Sequence, residues 1–118
     1  MLEASKKAFK IKSKALERTF KDYKYYKSEF DAYNINEVSQ DKKKTEFYQE
    51  SKGALEQVEK NLLEYFYQLN SFMEEKKQDI EQEDSLKEDF EKAKTTLTQV
   101  KALFPAALWN RLIHTQDW

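Results

Sequence analysis

One apolar seam in the middle of the chain constrains the fold more than any other feature. Its six residues follow one another at intervals of 3-4-3-4-3: Leu55, Val58, Leu62, Tyr65, Leu69 and Phe72. This spacing places all six along one line of a long helix. The surrounding residues 41–77 contain no proline and a single glycine. A helix of that length spans about 50 Å at 1.5 Å per residue, so it needs partner helices that lie along it.

Two further segments carry seams of the same kind. The first seam has a residue in every heptad: Leu2, Phe9, Leu16, Tyr23 and Phe30. The last runs at intervals of 4-3-4-3-4: Leu86, Phe90, Ala93, Leu97, Val100 and Phe104. Three seams of similar width can bury one another. The sequence therefore predicts an all-α fold, an antiparallel up-down-up three-helix bundle with coiled-coil-like, spectrin-like left-handed packing.

The breaks between seams predict a bundle over 1–105, with helices at about 3–34, 38–77 and 86–104. The short join over 34–39, where Asn36 or Ser39 can cap the next helix, favours an antiparallel hairpin. The charged run 74–84 predicts the end of the second helix and an acidic connector to the third. Ser85 and Glu88 then have the spacing of a capping box, and Pro105 closes the third helix.

The remaining residues, 106–118, form a C-terminal tail of different composition. Leu108, Trp109, Leu112 and Ile113 have helical spacing, and Pro105 is well placed to start a short helix. Two interpretations stay open. The tail docks on the open end of the bundle, or it presents its tryptophans to a partner.

The composition narrows the class of protein. The chain has 118 residues, the length of one domain. Charged residues make up 36% of it, but 14% aromatic residues and sustained heptads are not typical of a disordered chain. The N-terminus lacks the apolar core of a signal peptide, and no apolar run is long enough to span a bilayer. We therefore expect a cytoplasmic protein that does not bind membranes.

Residues for catalysis or cofactor binding are scarce. There is no cysteine, and His114 is the only histidine, so the chain has no thiolate metal site and no histidine pair for zinc. A phosphorelay domain needs its histidine in the middle of an exposed helix, whereas His114 lies in the tail. No glycine-rich phosphate loop is present, and the carboxylates are spaced as solvated helix faces. We expect neither enzymatic activity nor a cofactor.

Charge is distributed unevenly along the chain. The net charge is -1, but residues 1–44 hold 12 basic and 7 acidic side chains, and the remainder hold 9 and 15. The lysine-rich face of the first helix is either a site for acidic partners or the solvated flank of an ordinary bundle. The acidic C-terminal half argues against nucleic acid as a ligand. A helical module for binding another protein remains.

Three motifs, in order, carry a resemblance to a known family. The first begins with Phe9-Lys10-Ile11-Lys12 and ends with Tyr25-Tyr26-Lys27-Ser28-Glu29; the second is Lys42-Lys43-Lys44-Thr45-Glu46-Phe47-Tyr48-Gln49-Glu50-Ser51; the third is the ending from Val100 to Pro105. Together they resemble the tubulin-binding cofactor A family of small tubulin-specific chaperones, whose second motif has the pattern KKQ-x-E-x-L-x-E-S. The chain departs from that family in its shorter join between helices one and two. It also has Glu56 where many members have a proline.

The resemblance implies a three-helix bundle that binds β-tubulin after its release from the cytosolic chaperonin. Such a protein holds β-tubulin for the later folding cofactors that assemble the αβ heterodimer, without nucleotide, metal or covalent chemistry. It implies a cytoplasmic, cytoskeleton-associated protein that is a monomer or weak homodimer. Eight residues match the family's pattern and lie off the seams or at their margins, and we expect them to contact tubulin: Lys10, Lys12, Arg18, Lys21, Lys42, Lys43, Glu46 and Glu50.

A competing hypothesis comes from another class of protein. The chain is a structural or scaffolding coiled coil, unrelated to tubulin, whose seams pair between chains. An open heptad rod has to assemble, so the oligomeric state separates the two hypotheses.

Overall fold

The structure, a computed structural model, describes residues 2–33 and 42–104. The regular elements among them are all helical: α1 (Glu3–Asp31), α2 (Lys42–Glu75), α3 (Lys77–Glu81), a 3₁₀ turn (Asp84–Leu86) and α4 (Lys87–Lys101). The prediction of an all-α fold is confirmed. The predicted join over 34–39 and the tail over 106–118 lie outside the described residues.

The α1 seam is buried against α2. Phe9, Leu16 and Tyr23, one heptad apart, are the buried residues of α1. The rings of Phe9 and Phe72 stack with centroids 6.3 Å apart, and those of Phe30 and Tyr48 stack at 5.1 Å. The start of α1 therefore lies beside the end of α2, and the end of α1 lies beside the start of α2.

The α4 seam packs into the same core as the seams of α1 and α2. Its buried residues are Phe90, Ala93, Thr96, Leu97 and Val100. Lys6 Nζ lies 3.0 Å from Glu83 Oε1 just before the 3₁₀ turn, and the ring of Tyr23 lies 6.2 Å from that of Phe104. Lys6 precedes Tyr23 in α1, and Glu83 precedes Phe104 in the segment that contains α4, so the two segments run in the same direction. As a result, the α4 segment reaches only to the level of Tyr23, and α1 continues beyond it to Asp31.

The segment predicted to be an acidic connector is folded onto the core. Lys76 has a non-helical backbone (φ -105°, ψ 13°) that separates α2 from α3, so four helices are present among the described residues where three were predicted. Ile80, the only apolar residue of 74–84, is fully buried, as is Leu86 in the 3₁₀ turn. Burying an isoleucine side chain is worth about 1.5–3 kcal/mol. This gain explains why the segment turns back onto the bundle.

The predicted capping box at Ser85 and Glu88 is wrong. The Ser85 hydroxyl donates a hydrogen bond to Glu83 Oε1 at 3.2 Å, and no side chain caps the start of α4. The 3₁₀ turn places Leu86 at the position that precedes α4, so Ser85 lies one residue too early to cap it. Glu88 instead lies with Asp89 in the first turn, where negative charge favours the helix dipole.

Within residues 2–33 and 42–104, no helix combines the length and the apolar character that crossing a bilayer requires.

We predict that the core and the exposed face of the bundle respond differently to truncation. Leu62→Ala, at a fully buried position, is expected to lower the free energy of unfolding by about 2–5 kcal/mol through lost burial and an unfilled cavity. Ile11→Ala is the control, because Ile11 is 58% exposed. It is expected to change the free energy by less than about 0.5 kcal/mol. Urea unfolding followed by circular dichroism measures both, and equal losses would contradict the assignment of the core.

We also predict that the contact between Lys6 and Glu83 stabilises the fold in a pH-dependent way. The hydrogen bond from Lys6 lowers the pKa of Glu83 below its ordinary value of 4.5, and that same bond is the main cause of the raised pKa of Lys6. A lowered carboxyl pKa contributes stability above the unfolded pKa, and this stability is lost as the pH falls through the folded pKa. Glu83→Gln should therefore lower the urea midpoint at neutral pH, and the difference from wild type should vanish in acid.

The control for this prediction is Glu3→Gln. Glu3 also contacts Lys6, at 3.3 Å, but its side chain is 90% exposed, compared with 25% for Glu83. Exposed ion pairs contribute little. A pH-dependent effect as large for Glu3→Gln as for Glu83→Gln would show that the contact between the two segments is not the source.

Candidate protein-binding surface

The predicted contact residues of α2 lie together at its start. Lys42, Glu46 and Glu50 recur every four residues, so they form one row on the helix, and all three are exposed. Lys43 is exposed beside them. The row carries both signs of charge, as an ordinary solvated helix face does.

The predicted contact residues of α1 do not share one face. Lys10 lines a groove between α1 and α4 together with Asp89 and Lys92. Lys12 is half-buried, whereas Arg18 and Lys21 are exposed. At 100° per residue, Lys10 and Lys12 point about 160° apart around the helix.

The structure does not bring the two sets into one patch. Lys10 is next to the contact of Phe9 with Phe72, and Glu46 lies close to the contact of Phe30 with Tyr48. These two contacts are separated by 21 residues of α1, or about 32 Å at 1.5 Å per residue. The eight residues therefore lie along most of the length of the molecule, and a single small binding site cannot contain them.

A continuous row on the outward face of α1, which we call the basic stripe, does form one surface. Its six residues are spaced at 4-3-4-3-4: Lys7, Ile11, Lys14, Arg18, Lys21 and Tyr25. All six are exposed, including the apolar Ile11 at 58% and the aromatic Tyr25 at 65%. From Lys7 to Tyr25 the stripe covers 18 residue steps, or about 27 Å. It lies on the side of α1 opposite Phe9 and the buried seam.

The basic stripe has no negative charge of its own. Its four cations make no ion pair with another described residue, whereas lysines elsewhere do so. Lys6 is 3.0 Å from Glu83, Lys27 is 3.1 Å from Asp31, and Lys94 is 2.7 Å from Glu91. A row of cations outside ion pairs favours acidic partners and raises their association rate. Neighbouring carboxylates reduce this potential, because Glu17 and Asp89 line a groove with Lys14, and Asp22 is exposed one turn after Arg18.

Only Arg18 and Lys21 of this stripe were among the predicted contact residues. Lys7, Ile11, Lys14 and Tyr25 were missed, because the predicted contact residues were charged residues that match the family pattern. A signal was present in the sequence. Ile11 and Tyr25 are two heptads apart and fall on the back of the helix, where a solvated face needs no apolar residue.

Another concave surface lies beyond the end of α4. It is an open groove lined in part by Tyr23, Lys24, Lys27, Asp31 and Leu103. Burial raises the pKa of the Tyr23 hydroxyl, and the hydrogen bond to Asp31 raises the pKa of Lys27. Both shifts move these groups further from neutrality, which is unsuitable for acid–base chemistry near pH 7. Within the described residues, no group of His, Cys, Asp and Glu side chains is arranged to hold a metal ion.

No protein-family model, curated protein or solved structure matches this chain. A functional hypothesis therefore rests on the surface of the molecule itself and on the resemblance of its three sequence motifs.

Proposed function

We propose that this chain is a stoichiometric protein-binding bundle, and that its partner is β-tubulin released from the chaperonin. In this proposal the three long helices form an up-down-up, left-handed bundle, which holds β-tubulin until the αβ heterodimer is assembled. The protein acts in the cytoplasm, near the cytoskeleton. It works without catalysis or a cofactor, and the concentrations and affinity set the fraction of tubulin that is bound.

The basic stripe is the observation that carries this proposal. It is exposed over about 27 Å of one helix. The helix is held in place by Phe9, Leu16 and Tyr23, which are buried on its other side. The described part of the molecule measures 59 × 27 × 18 Å, so it offers a long face to a partner. A charged, pre-ordered surface of this kind binds without the entropy cost of folding on contact.

The three motifs support the choice of β-tubulin. They cover residues 9–105 in the order found in the tubulin-binding cofactor A family. Arg18 and Lys21 belong both to the predicted contact residues and to the basic stripe. Lys42, Lys43, Glu46 and Glu50 provide a second exposed surface at the start of α2.

The scaffolding coiled coil is the competing proposal, and the burial of the seams favours the chaperone over it. Leu16, Leu62 and Leu97, one from each long helix, are all at most 1% exposed within a single chain. Seams that bury one another within a chain leave no open rod to pair with other chains. The proposed bundle accordingly functions as a monomer or weak homodimer.

We predict a one-to-one complex when the purified chain is mixed with β-tubulin freshly released from chaperonin. Gel filtration with light scattering measures the mass of the complex, and α-tubulin is the matched control. We expect no complex with α-tubulin, because the proposed surface recognises β-tubulin. An elongated oligomer of the chain that leaves β-tubulin unbound would overturn the chaperone proposal in favour of the scaffold.

A further inference from the structure

We infer that the basic stripe binds an acidic amphipathic helix of its partner, with Ile11 and Tyr25 as apolar anchors at the two ends of the contact. The inference rests on the proposed function for the identity of the partner. The chemistry of the contact follows from α1.

The spacing of the stripe identifies a helix as its ligand. Residues at intervals of four and three form a nearly straight row on an α-helix, which is the arrangement that packs against a second helix. Ile11 and Tyr25 are 14 residues apart, or about 21 Å along α1. A partner helix can contact both anchors with apolar residues of its own that are two heptads apart.

The charges of the stripe identify the partner as acidic. Lys14, Arg18 and Lys21 lie between the two anchors and have no ion pair with a described residue. Carboxylates on about two turns of the partner helix would face these cations. Arg18, in the middle, can bind a carboxylate through two parallel N–H donors.

The outward face of α2 provides an internal comparison. Its exposed charged residues mix both signs, and they include Lys42, Glu46, Glu50, Lys60 and Glu64. Such a face is suited to water and has no preference for a charged partner. The basic stripe differs because only cations, Lys14, Arg18 and Lys21, lie in the row between its two exposed apolar groups. Beyond the stripe the same row continues into the exposed carboxylates Glu3 and Glu29.

The test uses a fluorescent 21-residue helical peptide with two leucines 14 residues apart and four glutamates between them. A control peptide has the same composition but a scrambled order, so its net charge is equal and its helical face is lost. Fluorescence anisotropy measures the binding of both peptides to the full chain. We expect the patterned peptide to bind at least tenfold more tightly than the scrambled one.

Variants of the chain locate the contact. Arg18→Glu combined with Lys21→Glu is expected to weaken binding at least tenfold. Lys52→Glu combined with Lys60→Glu changes the net charge equally at exposed positions of α2, and is expected to change binding less than twofold. Circular dichroism confirms that both variants fold.

A second pair of variants tests the apolar anchors. Tyr25→Ala is expected to weaken binding of the patterned peptide about fivefold or more. Tyr67→Ala is the matched control, because Tyr67 is 51% exposed on α2, and it is expected to leave binding unchanged. Equal effects of the two tyrosine variants would overturn the role of the anchors.

Other results would overturn the inference as a whole. If Arg18→Glu with Lys21→Glu and Lys52→Glu with Lys60→Glu weaken peptide binding equally, the peptide is held only by nonspecific charge attraction. A dimer of the wild-type chain that Arg18→Glu with Lys21→Glu abolishes would show that the stripe binds a second copy. That copy could use its own exposed acidic residues Glu81, Asp84, Glu88 and Glu91.

The same variants separate this inference from the proposed function. If β-tubulin binds and is unaffected by Arg18→Glu with Lys21→Glu, the chaperone proposal stands and the inference fails. If the patterned peptide binds through the stripe but β-tubulin does not bind, the inference stands and the partner is another acidic protein.

Discussion

Burial of the α1 seam against α2 is the interaction on which the other features of the molecule depend. Phe9 and Leu16 are fully buried and Tyr23 almost so, and each is one heptad from the next. Since a helix has only one orientation that buries such a row, these residues determine which way every other side chain of α1 points. The outward direction of Arg18 follows from the inward direction of Leu16.

The basic stripe is a consequence of this orientation. Its cations could be accommodated on any exposed helix, but the seam places them on one line with Ile11 and Tyr25. Four of the nine cations of α1 therefore lie on this one line, and the other five, Lys6, Lys10, Lys12, Lys24 and Lys27, lie off it. A surface of this kind affects the encounter rate and the choice of partner more than the stability of the fold.

The region between α2 and α4 shows how a few apolar residues decide a local structure. Ile80 and Leu86 are fully buried in a stretch that is otherwise strongly charged. Their burial holds α3 and the 3₁₀ turn on the core, and it places Glu83 within 3.0 Å of Lys6. The start and direction of α4 depend on this arrangement, since no side chain caps the helix.

The sequence by itself determined the helical class and most of the buried seam residues, because periodicity reports which face of a helix is apolar. Leu62, Leu69, Phe90 and Leu97 were assigned to the core on that basis and are buried. Leu2, predicted in the first seam, is instead 76% exposed, and Val58 and Phe72 of the central seam are only partly buried. Only the tertiary structure decided that the helix breaks at Lys76 and that the predicted capping box at Ser85 and Glu88 does not form. Both depend on how Ile80 and Leu86 reach the core, which local pattern does not encode.

The candidate site shows the same division. The sequence indicated a lysine-rich first helix and residues that match a family pattern, but it did not indicate their distances. Lys10 and Glu46 are far apart because α1 and α2 lie side by side in opposite order, as the contacts of Phe9 with Phe72 and of Phe30 with Tyr48 show. The spacing of residues along one helix is local and can be read from sequence. Which residues of α1 lie beside which residues of α2 is decided by packing, and this pairing exists only in the folded molecule.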